Sequence, residues 1–432
     1  MRRVINRAAR PVCVGAFVTV SMATMVLPAF ADSPLATAFE LAWQRQPAAV
    51  SFAERQRAVD ARRQTADALI AAPPSLELGT RSDRFNRNQG ARELEAGLAL
   101  PLWLPGERSG SQAVAEADAN ALSGRVASLR LDLARQVREL WWGWQAIRNE
   151  RGLADERLAA AQRLRDDVAR RFQAGDLSRA DLNQAEGVMA QARALQAEAT
   201  AAEALARYRL ESLTGPLGEQ PGATTAARAG AMATPAGEPV IVVPASAKSA
   251  GTVVSTTHPR LLALQAQGEL ARRQADLVRV QSRSNPELAL STRYDRAAAG
   301  LENEQTWKLS LRIPFGGGPR HDARIATANA EALEAGAELA LEQERLQRES
   351  GALRSQFAAA EAQLAAATQR AALARENRGF YEKSFRLGES DLPTRLRIEA
   401  EAFEAERALS SARIGRERTL SQLRQALGLL PE

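Results

Sequence analysis

Apolar residues recur along this chain in two rhythms. Four short stretches alternate strictly. In residues 306–315, Trp307, Leu309, Leu311, Ile313 and Phe315 fall on one side, with Lys308, Ser310 and Arg312 on the other. Residues 93–102 set Leu94, Ala96, Leu98, Leu100 and Leu102 against Glu93, Glu95, Gly97 and Ala99. Residues 76–84 and 287–295 alternate more briefly. A period of two predicts strands with one apolar face. Elsewhere the rhythm is helical, on a narrow alanine-rich stripe. Residues 107–172 contain no proline and predict a helix of roughly 100 Å. Residues 321–386 predict a second. Shorter helices are expected at 33–71, 177–213, 256–284 and 392–427, with Pro73 and Pro74 stopping the first.

The elements come twice. Ala61-Arg62-Arg63-Gln64 returns as Ala271-Arg272-Arg273-Gln274, Pro74 as Pro286, Phe172 and Gly175 as Phe385 and Gly388, and Gly215 as Gly428. The offset stays near ~212 residues, which marks a duplicated unit of helix, strand, strand, long helix and shorter helix. The expected organisation is a leader at 1–31, a first repeat at 32–215, a linker at 216–255 and a second repeat at 256–432. The linker is rich in Ala, Gly, Thr and Pro and reads as a flexible connector, with only Val240-Ile241-Val242-Val243 strand-like. In each repeat the two shorter helices together roughly match the long one. Stacked end to end beside it, they would make a rod of even thickness. Such a rod cannot bury its stripe by folding into a globule, so it must pack laterally, against its own chain and other copies.

Composition narrows the chemistry. Two histidines and one cysteine in 432 residues exclude zinc fingers, iron–sulfur clusters and disulfide scaffolds. The formal charge of +6 falls to +2 without residues 1–31, which hold Arg2, Arg3, Arg7 and Arg10 and no acid. A nearly neutral remainder points away from nucleic acid. Those first residues form a basic n-region, an apolar run from Val12 to Leu27 and the cleavage signal Ala29-Phe30-Ala31. They read as a secretory signal peptide cut after Ala31. Cys13 lies in the apolar run without a lipobox. No other apolar run reaches the ~18 residues of a spanning helix, so any crossing of a bilayer must use strands. Segments of ten residues with apolar-out, polar-in alternation are the mark of a membrane β-barrel. Four strands are too few to close one, and open edges are forbidden in lipid. Several chains would have to share one barrel.

On these features the chain resembles the TolC-like outer-membrane factor family over nearly all of its length after the leader. The resemblance implies a mainly α fold with a small β part. Three protomers would build one 12-stranded outer-membrane β-barrel, four strands per chain, continued by a long periplasmic α-helical barrel. It implies a passive exit duct working with a periplasmic adaptor and an inner-membrane pump. Leu100-Pro101-Leu102, Pro105, and Ile313-Pro314-Phe315-Gly316-Gly317-Gly318 look like its strand-to-tunnel junctions, where proline and glycine suit the change of direction. Gly175-Asp176-Leu177-Ser178 and Gly388-Glu389-Ser390-Asp391 look like its periplasmic tips, which dock the adaptor. Gly175 and Gly388 can end the long helices in a left-handed conformation. Ser178 with Asp181 reads as a capping pair, and Ser390 or Asp391 can cap the last helix, with Pro393 in its first turn. Trp307, Leu309, Leu311, Ile313 and Phe315 would face outer-membrane lipid. The arginine-rich start of the second repeat and its Pro-Phe-Gly-Gly-Gly-Pro-Arg junction look most like the heavy-metal (Czc/Cus-type) branch, whose pump is of the proton-driven resistance-nodulation-division type. The chain departs from relatives with an acidic gate, since Thr394 and Arg397 follow the second tip instead of two aspartates.

Other residues draw blander readings. His258 reads as a cap or a solvated residue, and His321 as the head of a long helix. Trp141, Trp142 and Trp144 read as packing against the linker or a neighbouring protomer. No nucleophile elbow, phosphate loop or carboxylate pair stands out, so neither an enzyme nor a cofactor is expected. Competing readings are a drug-efflux or type I secretion duct of the same fold and, in another class, a periplasmic adaptor or structural coiled-coil protein.

Overall fold

The computed structural model describes residues 33–86, 88–217, 237–239 and 257–432. The expected signal peptide, and the linker apart from Pro216, Leu217 and Gly237–Pro239, lie outside them. The first set of elements is α1 (Pro34–Gln44), α2 (Pro47–Asp67), β1 (Ser75–Ser82), β2 (Arg92–Pro101), α3 (Glu107–Ala174) and α4 (Arg179–Thr214). The second is α5 (Pro259–Val280), β3 (Glu287–Arg296), β4 (Glu304–Arg312), α6 (Gly318–Arg386) and α7 (Leu392–Ala426). Among the described residues no helix is long and apolar enough to cross a membrane.

The first helix departs from expectation. Residues 33–71 form two helices, because Pro47 supplies no N–H to a continuing ladder and pushes Gln46 into an extended conformation. The second piece stops at Asp67, short of the Pro73-Pro74 pair. The break preserves the length match: α1, α2 and α4 hold 11, 21 and 36 residues, together as many as the 68 of α3. The expected 256–284 helix is likewise shorter, Pro259–Val280.

Helix α3 is the spine. It packs against α2 and α5 towards the sheet, α1 near its middle, and α4 and α7 towards its far end, whereas α6 packs mainly on α5 and α7 and reaches α3 with Phe385 near its end. The main core forms where α1 docks. Leu35, Ala38, Phe39 and Ala42 of α1 meet Leu133, Val137, Trp141, Trp142 and Trp144 of α3, with Leu210 of α4 and Ile414 of α7. The three tryptophans fill the chain's own core, and Leu217 at the start of the linker packs against the same cluster. Trp141 and Trp144 meet edge to face at 5.4 Å.

Beside this core lies a buried ionic cluster. Glu238 of the connecting segment, its side chain 1% exposed, is 2.6 Å from Arg138 and 3.4 Å from Arg424, and also accepts from the Ser421 hydroxyl. Burial pulls the Arg138 guanidinium below its usual value, and Glu238 works against that shift. Removing one partner from such a cluster strands a buried charge. Glu238 thus fastens at least Gly237–Pro239 to α3 and α7, a hold that composition did not signal.

Candidate functional site: the helical tips and the sheet

The sheet is antiparallel with strand order β1-β2-β3-β4. Its register puts Leu76, Leu98, Leu290 and Leu309 in one row and Leu78, Ala96, Thr292 and Trp307 in the next. Leu100, Leu288 and Leu311 make a third row of the same parity. Side chains in a row share a face, so one face of all four strands is apolar, and Leu76, Leu78, Leu98, Leu290, Trp307, Leu309 and Leu311 on it are exposed. The opposite face is polar. Arg293 there bridges Glu93 at 2.9 Å and Glu95 at 3.8 Å. Strand β4 ends at Arg312 and not at Phe315, because Pro314 has no N–H for a ladder. Ile313 and Phe315 are exposed but lie beyond the strand.

At the first junction Pro101 closes β2, and its carbonyl accepts from Ala71 N at 3.0 Å. Pro105 is exposed, and the left-handed residue is the next one, Gly106, at φ 79°. Glu107 was missed by sequence reading. It is buried at the start of α3 and accepts from Leu104 N (2.9 Å), Gln281 (2.9 Å) and Asn285 (2.6 Å). This carboxylate ties the spine to the approach to β3, and only the three-dimensional meeting of two repeats reveals it. At the second junction Pro314 is followed by Gly316 at φ 105°, Gly317, and Gly318 at φ 51°, where α6 begins.

The tips are built as the sequence suggests. Gly175 adopts φ 87° and donates to Arg171 and Phe172 carbonyls. Asp176 N also reaches Arg171 O, at 2.9 Å. The Ser178 side chain accepts from Asp181 N, and Asp181 accepts from Ser178 N at 2.9 Å, a complete capping box. In the second tip Gly388 adopts φ 79°, and Asp391, not Ser390, caps α7 by accepting from Thr394 N at 3.1 Å. Hydrogen bonding from Thr394, by its side chain and then its N–H, holds the Asp391 carboxyl below its usual range. The Ser390 hydroxyl is buried without a partner. Gly175, Asp176, Ser178, Gly388, Glu389 and Asp391 are exposed, while Leu177 is half-buried against the local core.

The two tips lie together. Phe385, 2% exposed, packs with Leu164, Val168, Leu182, Ala185 and Leu392. The guanidinium groups of Arg171 and Arg395 stack on its ring at 4.8 and 4.7 Å. Arg171 also donates to the Phe385 carbonyl at 3.0 Å, and Asp167 is 3.9 Å from Arg395. Arg171 and Arg395 gave no sequence signal, since each is one arginine among many on a charged helix.

Residues 42–216 match the family model described as outer membrane efflux protein. The match spans those residues, and the whole described chain has the fold of the solved outer-membrane channels. A crystal structure of a membrane protein from Pseudomonas aeruginosa is similar at TM-score 0.69 and 17% identity, covering 92% of this chain and 91% of that one. The structure of CusC is similar at TM-score 0.70 and 16% identity over 93% of each chain. The outer membrane protein VceC from Vibrio cholerae follows at 0.68 and 16%, over 92% of this chain and 97% of its own. No curated protein matches the chain by sequence.

Proposed function

We propose that this protein is the exit duct of a tripartite efflux system, made of three copies sharing one 12-stranded barrel in the outer membrane of a Gram-negative bacterium. The observation that carries the proposal is the sheet. Its apolar face is continuous across four strands and exposed, and β1 and β4 are open edges. In lipid an apolar outer face is favoured and an open edge is not, so copies must pair β4 to β1 around a ring. The pairing is head-to-tail, and a ring of copies closes it. The helices repeat the logic: α6, below β4, has an uncovered side, as do α2 and α4 on the other margin. Trp307, Leu309 and Leu311 then face lipid, with Ile313 and Phe315 at its periplasmic border.

The tips around Gly175 and Gly388 become the periplasmic mouth and dock the adaptor, and residues 1–31 are the export signal cut after Ala31. A duct has no energy source, so an inner-membrane pump drives it. The resemblance of the second junction to the heavy-metal branch supports metal cations as cargo and a proton-driven pump. The test is the mass of the detergent-purified protein beside metal and drug tolerance of cells lacking it. Three chains per particle and loss of metal tolerance are expected. A stable monomer overturns the duct. Loss of drug tolerance alone, with trimers intact, replaces the cargo and leaves the duct standing.

A further inference from the structure

The polar face of the sheet is not evenly charged. Starting at the helical end, the register places Glu287 opposite Arg312, then a row of Ser75, Ala99, Ala289 and Ser310 without charge. The next two rows each hold one acid and one base, Glu77 with Lys308 and Glu95 with Arg293. The last row before the connecting loops differs. Glu93, Asp295 and Glu304 stand on three neighbouring strands, and only Arg81 on β1 opposes them.

Three observations show that this excess is not neutralised locally. Asp295 and Glu304 are direct cross-strand partners, yet among the described residues neither has an ion pair. Like charges placed directly opposite destabilise a sheet, so strand pairing does not account for them. Arg293, the cation of the preceding row, is shared between Glu93 and Glu95. Arg296, next to Asp295, has the parity of the apolar face and donates to the Gly90 carbonyl at 3.2 and 3.3 Å. The loops around it are fastened to each other by Ala299 N donating to Gln89 O at 2.8 Å, which fixes the height of the row.

We propose that the row of Glu93, Asp295 and Glu304 is a charge filter at the outer end of the duct, favouring passage of cations over anions. The proposal rests on the reading of the sheet as a shared barrel with its polar face inward. Three copies then carry nine carboxylates against three copies of Arg81 in a single ring. Rings of acidic side chains select cations by their field and need not bind them tightly. A lumen with low-dielectric walls focuses that field, and salt screens it.

The experiment is a reversal-potential measurement on the purified full-length protein in a planar bilayer under a potassium chloride gradient. The wild type is expected to prefer potassium over chloride, more strongly at low salt. Asp295→Asn with Glu304→Gln should lower the permeability ratio roughly two- to five-fold, and Glu304→Lys should lower it further. Ser310→Asn, in the uncharged row, should leave it unchanged. Trimer mass and β signal are checked for each variant, and the single substitutions serve if the double one assembles poorly. Conducting wild-type channels without cation preference, or variants with an unchanged ratio, overturn the filter and leave the duct intact. Wild-type trimers that never conduct overturn the duct itself.

Discussion

The two long helices invite comparison, because they are nearly equal in length and unequal in everything else. Helix α3 has 68 residues and buries eighteen; α6 has 69 and buries six. Five helices pack along α3, whereas α6 packs mainly on two. Large side chains follow the same division. Trp141, Trp142, Leu131, Leu133 and Val137 fill the core from α3, whereas Leu333, Leu341, Leu373 and Phe380 of α6 are exposed. Three of the six residues that α6 buries are alanines. One helix of the pair is finished by its own chain, and the other is a margin. The duplication thus yields two similar hairpins with different surroundings, one covered within the chain and one exposed along most of its length; in the proposed duct the exposed one meets the next copy.

The strongest way to break the comparison is to remove the α3 core. Trp142 is among the largest fully buried side chains. Trp142→Ala should cost about 3–5 kcal/mol, since a cavity of that size in the packed centre does not collapse. Chemical denaturation of the protein in detergent measures it. A truncation at the margin, Leu373→Ala, should cost the isolated fold far less. Equal losses at the two sites would mean that α6 is as internal as α3.

The complementary test leaves the fold and attacks the margin. Leu373 and Phe380 are 55% and 61% exposed on α6. Leu373→Glu with Phe380→Glu should leave helical content unchanged and shift the particle from three chains to one, because two carboxylates would be buried in a copy-to-copy seam. Light scattering with circular dichroism separates the outcomes. Normal trimers would place the contact elsewhere.

Legibility in the sequence followed the same division. Elements set by local period were readable: four strands, two long helices, both tip turns and their caps. Proline misled twice. Pro47 broke a helix that looked continuous, and Pro314 ended β4 before Ile313 and Phe315 despite unbroken alternation. What stayed hidden were the contacts between distant segments. Glu107 with Asn285, Glu238 with Arg138 and Arg171 with Phe385 join residues 100–214 positions apart. Each is a charged residue on a chain full of them, and burial, not type, makes it matter. The tryptophans were visible as a cluster, but only the docking of α1 showed what they pack against.

A smaller effect is expected where α3 and α6 end alike, at the tips. Gly175 and Gly388 both have open space where a Cβ would point, so the constraint is the backbone alone. A β-branched residue resists φ near 80°, at a cost of about 1–2 kcal/mol. Gly388→Val should leave trimers abundant while reducing efflux and cross-linking to the adaptor. Gly175→Val should do the same. A membrane-fraction blot beside a tolerance assay reads both. Unchanged export with either variant would make that turn a connector and not a docking element.

The finest test concerns a height where α6 is enclosed as α3 is. There Leu346 of α6 is buried beside His258, the cap of α5. The His258 Nδ1 accepts from Arg260 N at 3.2 Å, while Nε2 is buried without a partner. Charges face it from every side: Asp132 and Arg135 on α3, Arg260 on α5, and Glu342, Arg345 and Glu349 on α6. Burial pushes the His258 pKa below its usual 6.5, and Glu342 opposes that shift. A protonated ring would also lose the cap, because Nδ1 could no longer accept. The folded state therefore binds this proton less readily than the unfolded state. Stability from this group is complete above about pH 6.5 and is lost as pH falls through that value towards the lower folded pKa. His258→Asn keeps a capping oxygen and removes the titration. Thermal unfolding between pH 7.5 and 5 should show a smaller loss of stability on acidification in His258→Asn than in the wild type. Parallel pH profiles would mean that His258 takes up its proton as readily in the fold as in the unfolded chain, and that this stretch of α6 is open to water like the rest of the margin.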